Sequence, residues 1–309
     1  MNEPPVYHIP ALLPQVLELL NVRPSGIYVD ATFGGGGHSR AILEALGPQG
    51  RLFVFDQDDE ALANAPADPR LTAVHGNFRF ISQYLRYYGV KGRVDGILAD
   101  LGVSFHHFDD PARGFSFRFD GPLDMRMNRS ARRSAADLLR DESEEELASI
   151  FKLYGELRQA RKIAAAICKA RLSAPVDTVG RLLEVVAPFI SPKNEKKELA
   201  QLFQALRIVV NDEIAALQQF LQRALDSLAP GGRLAVITYH SLEDRLVKNF
   251  MRTGRIDGRE QKDFYGRNLS PLKLLTSKPV TADEAEVARN PRSRSAKLRV
   301  AEKLESTVQ

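Results

Sequence analysis

The chain has 309 residues, 44% of them hydrophobic, with 21 glycines and 17 prolines, a balance that suits a folded protein with one or two cores and excludes a disordered chain. Its single cysteine, Cys168, excludes an intramolecular disulfide and the usual Cys-rich zinc site, and fits a reducing compartment. A net charge of +4 admits a nucleic-acid partner without requiring one.

Met1 to Pro14 lack the basic start and apolar core of a signal peptide, and no apolar run approaches the ~20 residues of a membrane span, so a soluble cytoplasmic protein is expected. Ile27–Asp30 is a short apolar run ending in an acid, followed by a glycine-rich loop and a helix over Ser39–Leu46 that stops at Gly47-Pro48. Arg51–Asp56 reads as a second strand, again ending in an acid, and Asp58–Asn64 as a short helix. Leu71–His75 is a third strand, Phe80–Tyr88 a helix, and Val94–Asp100 a fourth strand closed by another acid. This alternation predicts βαβ units and a parallel sheet covered on both faces.

Gly102 to Met127 is rich in Gly, Phe, Asp and Arg and has no period. From Ala135 to Leu228 the pattern is helical, with helices over Asp141–Tyr154, Arg158–Leu172, Thr178–Phe189 and Glu195–Leu228. Cys168 falls in an apolar helical run and reads as a small core residue. The α/β pattern then returns: a turn at Ala229–Gly232, a strand over Arg233–Thr238, a helix over Ser241–Met251, and late strands over Leu272–Ser277 and Lys297–Glu302, the last expected at the sheet edge. The order predicts an α/β core, residues 1–105 and 211–309, carrying a mostly helical substrate-recognition insert, residues 106–210.

Strand, acid, glycine turn and helix form a site for a polar, adenosine-bearing ligand. A dinucleotide fingerprint needs Gly-x-Gly-x-x-Gly. Gly34 and Gly36 fit it, but Ser39 stands third. The run Asp30 to Gly37 looks instead like the acid-x-x-x-Gly-x-Gly loop of class I methyltransferases, whose S-adenosylmethionine carries a positive sulfonium and no pyrophosphate. Asp56 is placed to accept hydrogen bonds from ribose hydroxyls. Asp100, with Ser104, is the candidate for accepting a hydrogen bond from a poorly nucleophilic exocyclic amine, which would localise its lone pair. The alternative is that Asp100 holds the cofactor or caps the next turn.

Several stretches resemble one family closely. They are Tyr7–Pro10, Val29–Ser39, Asp95–Ser104, Arg113–Met127, Phe203–Ile208, Pro230–Ile237, His240–Arg245 and Arg294–Arg299. Together they resemble the bacterial ribosomal RNA small-subunit methyltransferase H family (MraW-type). The resemblance implies a class I (Rossmann-like) methyltransferase core with an inserted all-helical domain. It also implies N4-methylation of a cytosine in the decoding centre of 16S rRNA, with S-adenosylmethionine as donor and 16S rRNA or the small ribosomal subunit as partner. The protein is expected as a monomer or homodimer. Methylation of another RNA or DNA exocyclic amine, or RNA binding without catalysis, are the alternatives. The family's cofactor contacts map to Gly36, Gly37, His38, Asp56, Phe78, Asp100 and, in place of the usual Gln, His107. Two stretches depart from the family: Ser104-Phe105-His106-His107-Phe108-Asp109, and Glu198–Leu202 where a His-Pro-Ala-Thr-Arg run is common.

His38 either touches the cofactor or caps the loop helix, and Phe78 either stacks near adenine or fills the core. His240, Ser241, Glu243 and Asp244 lack the Gly-x-Ser-x-Gly elbow of a hydrolase, so they read as lining a target-base pocket or capping a helix, Ser and Asp being suited to an N-cap. His106, His107, Asp109 and Asp110 offer no third ligand direction, and no metal is expected. Arg113, Arg118, Arg126, Arg129, Arg132 and Arg133 sit among Phe115, Phe117 and Phe119, the mix that binds single-stranded RNA, although such a loop also packs part of its aromatics inward.

Overall fold

The computed structural model describes residues 10–102, 108, 110–266 and 269–305. The chain divides into two compact units, one formed by Met1–Gly102 with Ala215–Gln309 and the other by Val103–Ile214.

The first unit is built on a twisted sheet. Its strands are β1 (Ile27–Asp30), β2 (Arg51–Asp56), β3 (Leu71–His75), β4 (Val94–Asp100), β5 (Leu228–Thr238), β6 (Leu272–Leu274), β7 (Val280–Thr281) and β8 (Lys297–Lys303). The order is β3-β2-β1-β4-β5-β8-β6, with β7 also on β8. The first five strands of that order are parallel and the remainder antiparallel. The expected α/β parallel sheet is therefore present. Alternate strand residues face opposite sides. Val29, Phe53, Phe55, Ile97 and Val236 pack on one side with Ile81, Leu85, Phe220 and Phe250. Tyr28, Leu52, Val54, Leu98 and Ile237 pack on the other with Val16, Leu20 and Ile42. Both faces are covered, which is why the strands read as continuous apolar runs.

Three expectations change. The tail strand β8 is not at the sheet edge but between β5 and β6. Leu298 and Val300 are fully buried, and an interior strand needs backbone partners on both sides, which β5 supplies on one and β6 and β7 on the other. The turn expected at Ala229–Gly232 lies within β5, where the pairing with β4 shifts register between Val94 and Gly96. The loop helix begins at Gly37, two residues ahead of Ser39. A helix over Leu13–Leu20 and a short one over Glu284–Arg289 complete this unit and were not evident from periodicity.

The helical unit has its own core, including Met125, Leu138, Phe151, Ile163, Leu182 and Leu206. The helix expected over Asp141–Tyr154 runs over Glu144–Leu153, and a further helix, Ala135–Asp141, precedes it; each is opened by a capping box, Ser134 with Asp137 and Ser143 with Glu146. The helix expected over Glu195–Leu228 is two, Glu195–Val210 and Glu213–Ser227. Asn211 breaks it. Its Oδ1 accepts from the Met127 amide at 2.7 Å, and its Nδ2 donates to the carbonyls of Met125 at 2.8 Å and Arg207 at 2.9 Å. Asp212 follows in the left-handed region, φ 50°.

Asn211→Ala is expected to destabilise the protein by about 2 kcal/mol, since it strands an amide and a carbonyl of the Met125–Met127 segment. A lowered midpoint in urea-induced unfolding is the measurement; an unchanged midpoint contradicts this account.

Candidate active site at the strand ends

Parallel pairing brings the carboxyl ends of β1, β2 and β4 to one edge of the sheet, and each ends in an aspartate. The three occupy different environments. Asp30 is 1% exposed. Its Oδ2 accepts from Ser39 Oγ at 2.6 Å and its Oδ1 from the Thr32 amide at 3.1 Å. Burial raises its pKa to about 6, against the opposing pull of His38 and of these two hydrogen bonds. Asp30 thus braces the loop from inside.

The loop folds back on β2. The Phe33 amide donates to the Phe55 carbonyl at 2.9 Å, and the Gly34 amide to Asp56 Oδ2 at 2.8 Å. Asp56 Oδ1 accepts from the Asp58 amide at 3.0 Å. Burial moves the Asp56 pKa up, and these amides act against it. Gly36 caps the helix in the left-handed region, φ 73°, where a Cβ would stand 2.7 Å from the Phe33 ring. A Cβ at Gly37 would stand 2.9 Å from the Pro10 ring. The helix over Gly37–Ala45 directs its first amides out of the loop, where they lack intrahelical partners.

Asp100 is half-buried. Its amide donates to Thr32 Oγ1 at 2.7 Å, which ties the end of β4 to the loop. Its Oδ1 accepts from the Tyr239 hydroxyl at 2.8 Å. Burial raises its pKa to about 7; the Tyr239 bond opposes the rise and the charge of Glu243 adds to it. His38 Nδ1 lies 3.7 Å from Asp100 Oδ2, while its Nε2 faces the Ala11 carbonyl at 3.0 Å. Burial pushes the His38 pKa down, so the ring is neutral near pH 7. Only 6% exposed, that ring fastens residue 11 over the loop helix and leaves its backbone on the loop side.

Asp30, Gly34, Gly36, Gly37, His38, Asp56 and Asp100 therefore come together. Phe78 opens a 3-10 turn after β3, joined to this edge by the Gly76 amide donating to the Asp56 carbonyl at 2.8 Å. Its ring packs edge-on against Phe220 with centroids 5.0 Å apart, so it fills the core at least in part. Ser104 and His107, with Phe105, His106 and Asp109, lie outside the described residues.

Two contributors escape a reading of the sequence: Thr32, between Asp30 and the glycine run, and Tyr239, which follows β5. The only signal for Tyr239 is that it precedes the His240–Arg245 block. That block caps the helix Ser241–Thr253, but the N-cap is His240 and not Ser241: His240 Nδ1 accepts from the Glu243 amide at 3.4 Å. Asp244 is paired away with Arg299, Nε to Oδ1 at 2.7 Å, and Arg299 is 7% exposed.

Within the helical unit the arginine-aromatic stretch sorts into two sets. Arg113 is buried, donating to the carbonyls of Arg126 at 2.9 Å and Met127 at 3.1 Å, with its guanidinium 5.9 Å from the Phe115 ring. Phe117 packs on Phe203 at 5.6 Å, and Arg126 pairs with Asp124. Arg118, Phe119, Arg129 and Arg132 are exposed.

The MraW methylase family matches residues 5–304 of the chain. A ribosomal RNA small subunit methyltransferase H from Parabacteroides distasonis is 58% identical over 298 residues, 96% of this chain and 98% of that protein. Proteins of the same name are 56% identical in Bacteroides fragilis, over 98% of this chain and 99% of that protein, and in Porphyromonas gingivalis, over 97% of each.

Gly36→Ala is expected to lower stability by about 2 kcal/mol, from a left-handed backbone and the clash with Phe33. At Gly35 a Cβ meets nothing within 4 Å, so Gly35→Ala should stay within about 0.5 kcal/mol of the parent. Thermal unfolding of both variants separates the two; equal losses refute the geometric distinction.

Proposed function

The chain belongs to the MraW methylase family, and from that premise we propose that it transfers a methyl group from S-adenosylmethionine to the N4 amine of a cytosine in the decoding centre of 16S rRNA. The observation that carries the reading is the half-buried Asp100 carboxyl beside the glycine loop, one oxygen engaged by Tyr239.

The residues present fit the donor. The first-turn amides of Gly37 and His38 suit its carboxylate, the Asp56 carboxylate suits ribose hydroxyls, and three aspartates in one edge suit a cationic sulfonium. S-adenosylmethionine, when bound, would supply the methyl carbon and leave with the electron pair of the carbon–sulfur bond. Asp100 does the protein's part of the chemistry. Its carboxylate accepts a hydrogen bond from the amine, turning the nitrogen lone pair out of conjugation and toward the methyl carbon. As the nitrogen–carbon bond forms, the amine gives up one proton to Asp100. The exposed Arg118, Arg129 and Arg132 with Phe119 give the helical unit a surface for RNA phosphates and an unstacked base.

Transfer in this form needs no cysteine adduct. Cys168→Ala should leave activity largely intact, and abolished transfer in a folded Cys168→Ala protein would sink the direct reading. Asp100→Asn should lower kcat by about 100-fold or more. The assay is incubation with undermethylated small subunits and, in parallel, naked 16S rRNA, with mass mapping of the modified nucleoside. Methyl found elsewhere than cytosine N4 redirects the substrate assignment, and failure to bind S-adenosylmethionine in a calorimetric titration removes the enzyme reading.

A further inference from the structure

Asp100 is held by a neighbour that lies 139 positions away in the chain. β5 pairs with β4 so that Ile237 stands opposite Asp100, and the Leu101 amide donates to the Ile237 carbonyl at 2.9 Å. Two residues on, the Tyr239 ring turns back over the end of β4. It lies against Gly102, where a Cβ would stand 3.2 Å from Tyr239 Cδ2 and where φ is 134°. The Tyr239 amide in turn donates to Glu243 Oε2 at 3.2 Å, and Glu243 is 3% exposed. The hydroxyl end of the chain of contacts reaches Asp100 Oδ1 at 2.8 Å. Among the described residues no donor is bonded to the other oxygen, Oδ2, the one that would meet a ligand. His38 Nδ1 at 3.7 Å is too far to bond it, and with Nε2 turned to the Ala11 carbonyl, Nδ1 of the neutral ring carries no proton.

We propose that Tyr239 is a positioning residue for methyl transfer: its hydroxyl fixes the Asp100 carboxylate so that Oδ2 is presented to the acceptor amine, and buried Glu243 sets Tyr239 through its backbone amide. This rests on the reading of Asp100 as the amine's acceptor. The hydroxyl also favours the ionised carboxylate, because a donor stabilises charge in a dry site. Among the described residues, the titratable groups around Asp100 and Tyr239 are Asp30, His38, Glu243 and Glu286, with His240 Nε2 lying 3.0 Å from Glu243 Oε1. Of these Glu243 acts directly against ionisation of Asp100. Tyr239 itself stays protonated, its pKa driven far up by burial and by Asp100. It is therefore a permanent donor, and the proton released by the amine goes to Asp100.

The roles of hydroxyl and carboxylate have opposite signs, which makes the test two-sided. Asp100 acts only when ionised, so kcat falls as pH drops below about 7, where its pKa lies. Removing the Tyr239 hydroxyl raises that pKa; removing the Glu243 charge lowers it. The experiment is kcat and KM between pH 5.5 and 9 for the full chain, Tyr239→Phe and Glu243→Gln, on undermethylated small subunits with S-adenosylmethionine. Tyr239→Phe is expected to move the acid limb up by about one pH unit, an approximately tenfold loss below neutrality that closes at alkaline pH. KM for both substrates should hold. Glu243→Gln should move the limb the other way, which identifies the limb as that of Asp100; if Tyr239→Phe does not fold, 3-fluorotyrosine at position 239, a stronger donor, should move the limb down, and an unmoved limb there overturns the role of the hydroxyl. A limb that stays in place in the folded variants, or a loss uniform across pH, overturns the proposal. Asp100→Asn separates the two layers: wild-type turnover there removes the Asp100 reading itself, whereas an inactive Asp100→Asn with an unmoved Tyr239→Phe limb removes only the role of Tyr239.

Discussion

The buried carboxyl of Asp30 is the constraint on which the site depends. It sits at the end of a central strand, out of water, and accepts from both Ser39 on the loop helix and Thr32 in the loop. A buried carboxylate without partners is strongly disfavoured, so these two bonds are close to obligatory once β1 is in the sheet. They set where the glycine run leaves the strand and where the helix starts. Thr32 then passes the order on by accepting from the Asp100 amide. One buried group thereby aligns the loop with the end of β4.

From that frame the three strand-end acids take different work. Asp30 is consumed by structure. Asp56 is held by two loop amides with acceptor capacity remaining. Asp100 is held by a phenol on one oxygen, and burial leaves its pKa about 7. Groups of one chemical type are thus given different electrostatic character by burial and by their donors along one sheet edge. In the helical unit the same division runs through the arginines. Arg113 is spent on backbone carbonyls, and Arg118, Arg129 and Arg132 remain outward.

The strands β1 to β5 and the loop were legible because their signals are local: apolar runs, three of them ending in acids, and glycines where the backbone must turn. The errors have equally particular causes. Periodicity passes through Asn211, since apolar residues keep their helical spacing on both sides of it, and only the Met125 and Met127 backbone shows why the helix stops. The last strand looked like an edge because chain order does not say that the late strand at Leu272 and the two-residue β7 pair on its far side. His240 replaced Ser241 as the cap because one residue of helix phase decides which side chain meets the free amide.

By itself the amino-acid sequence determined the α/β class, the glycine loop, the acids at the strand ends and the family resemblance, all carried by residues close together in the chain. Only the tertiary structure decided that Asp30 faces inward, that His38 spends its ring on Ala11, and that Tyr239 reaches Asp100. Those outcomes follow from strand order and register, which bring β5 beside β4 across more than a hundred residues of intervening chain. No local pattern encodes that adjacency, because it is selected by burying both faces of the sheet at once.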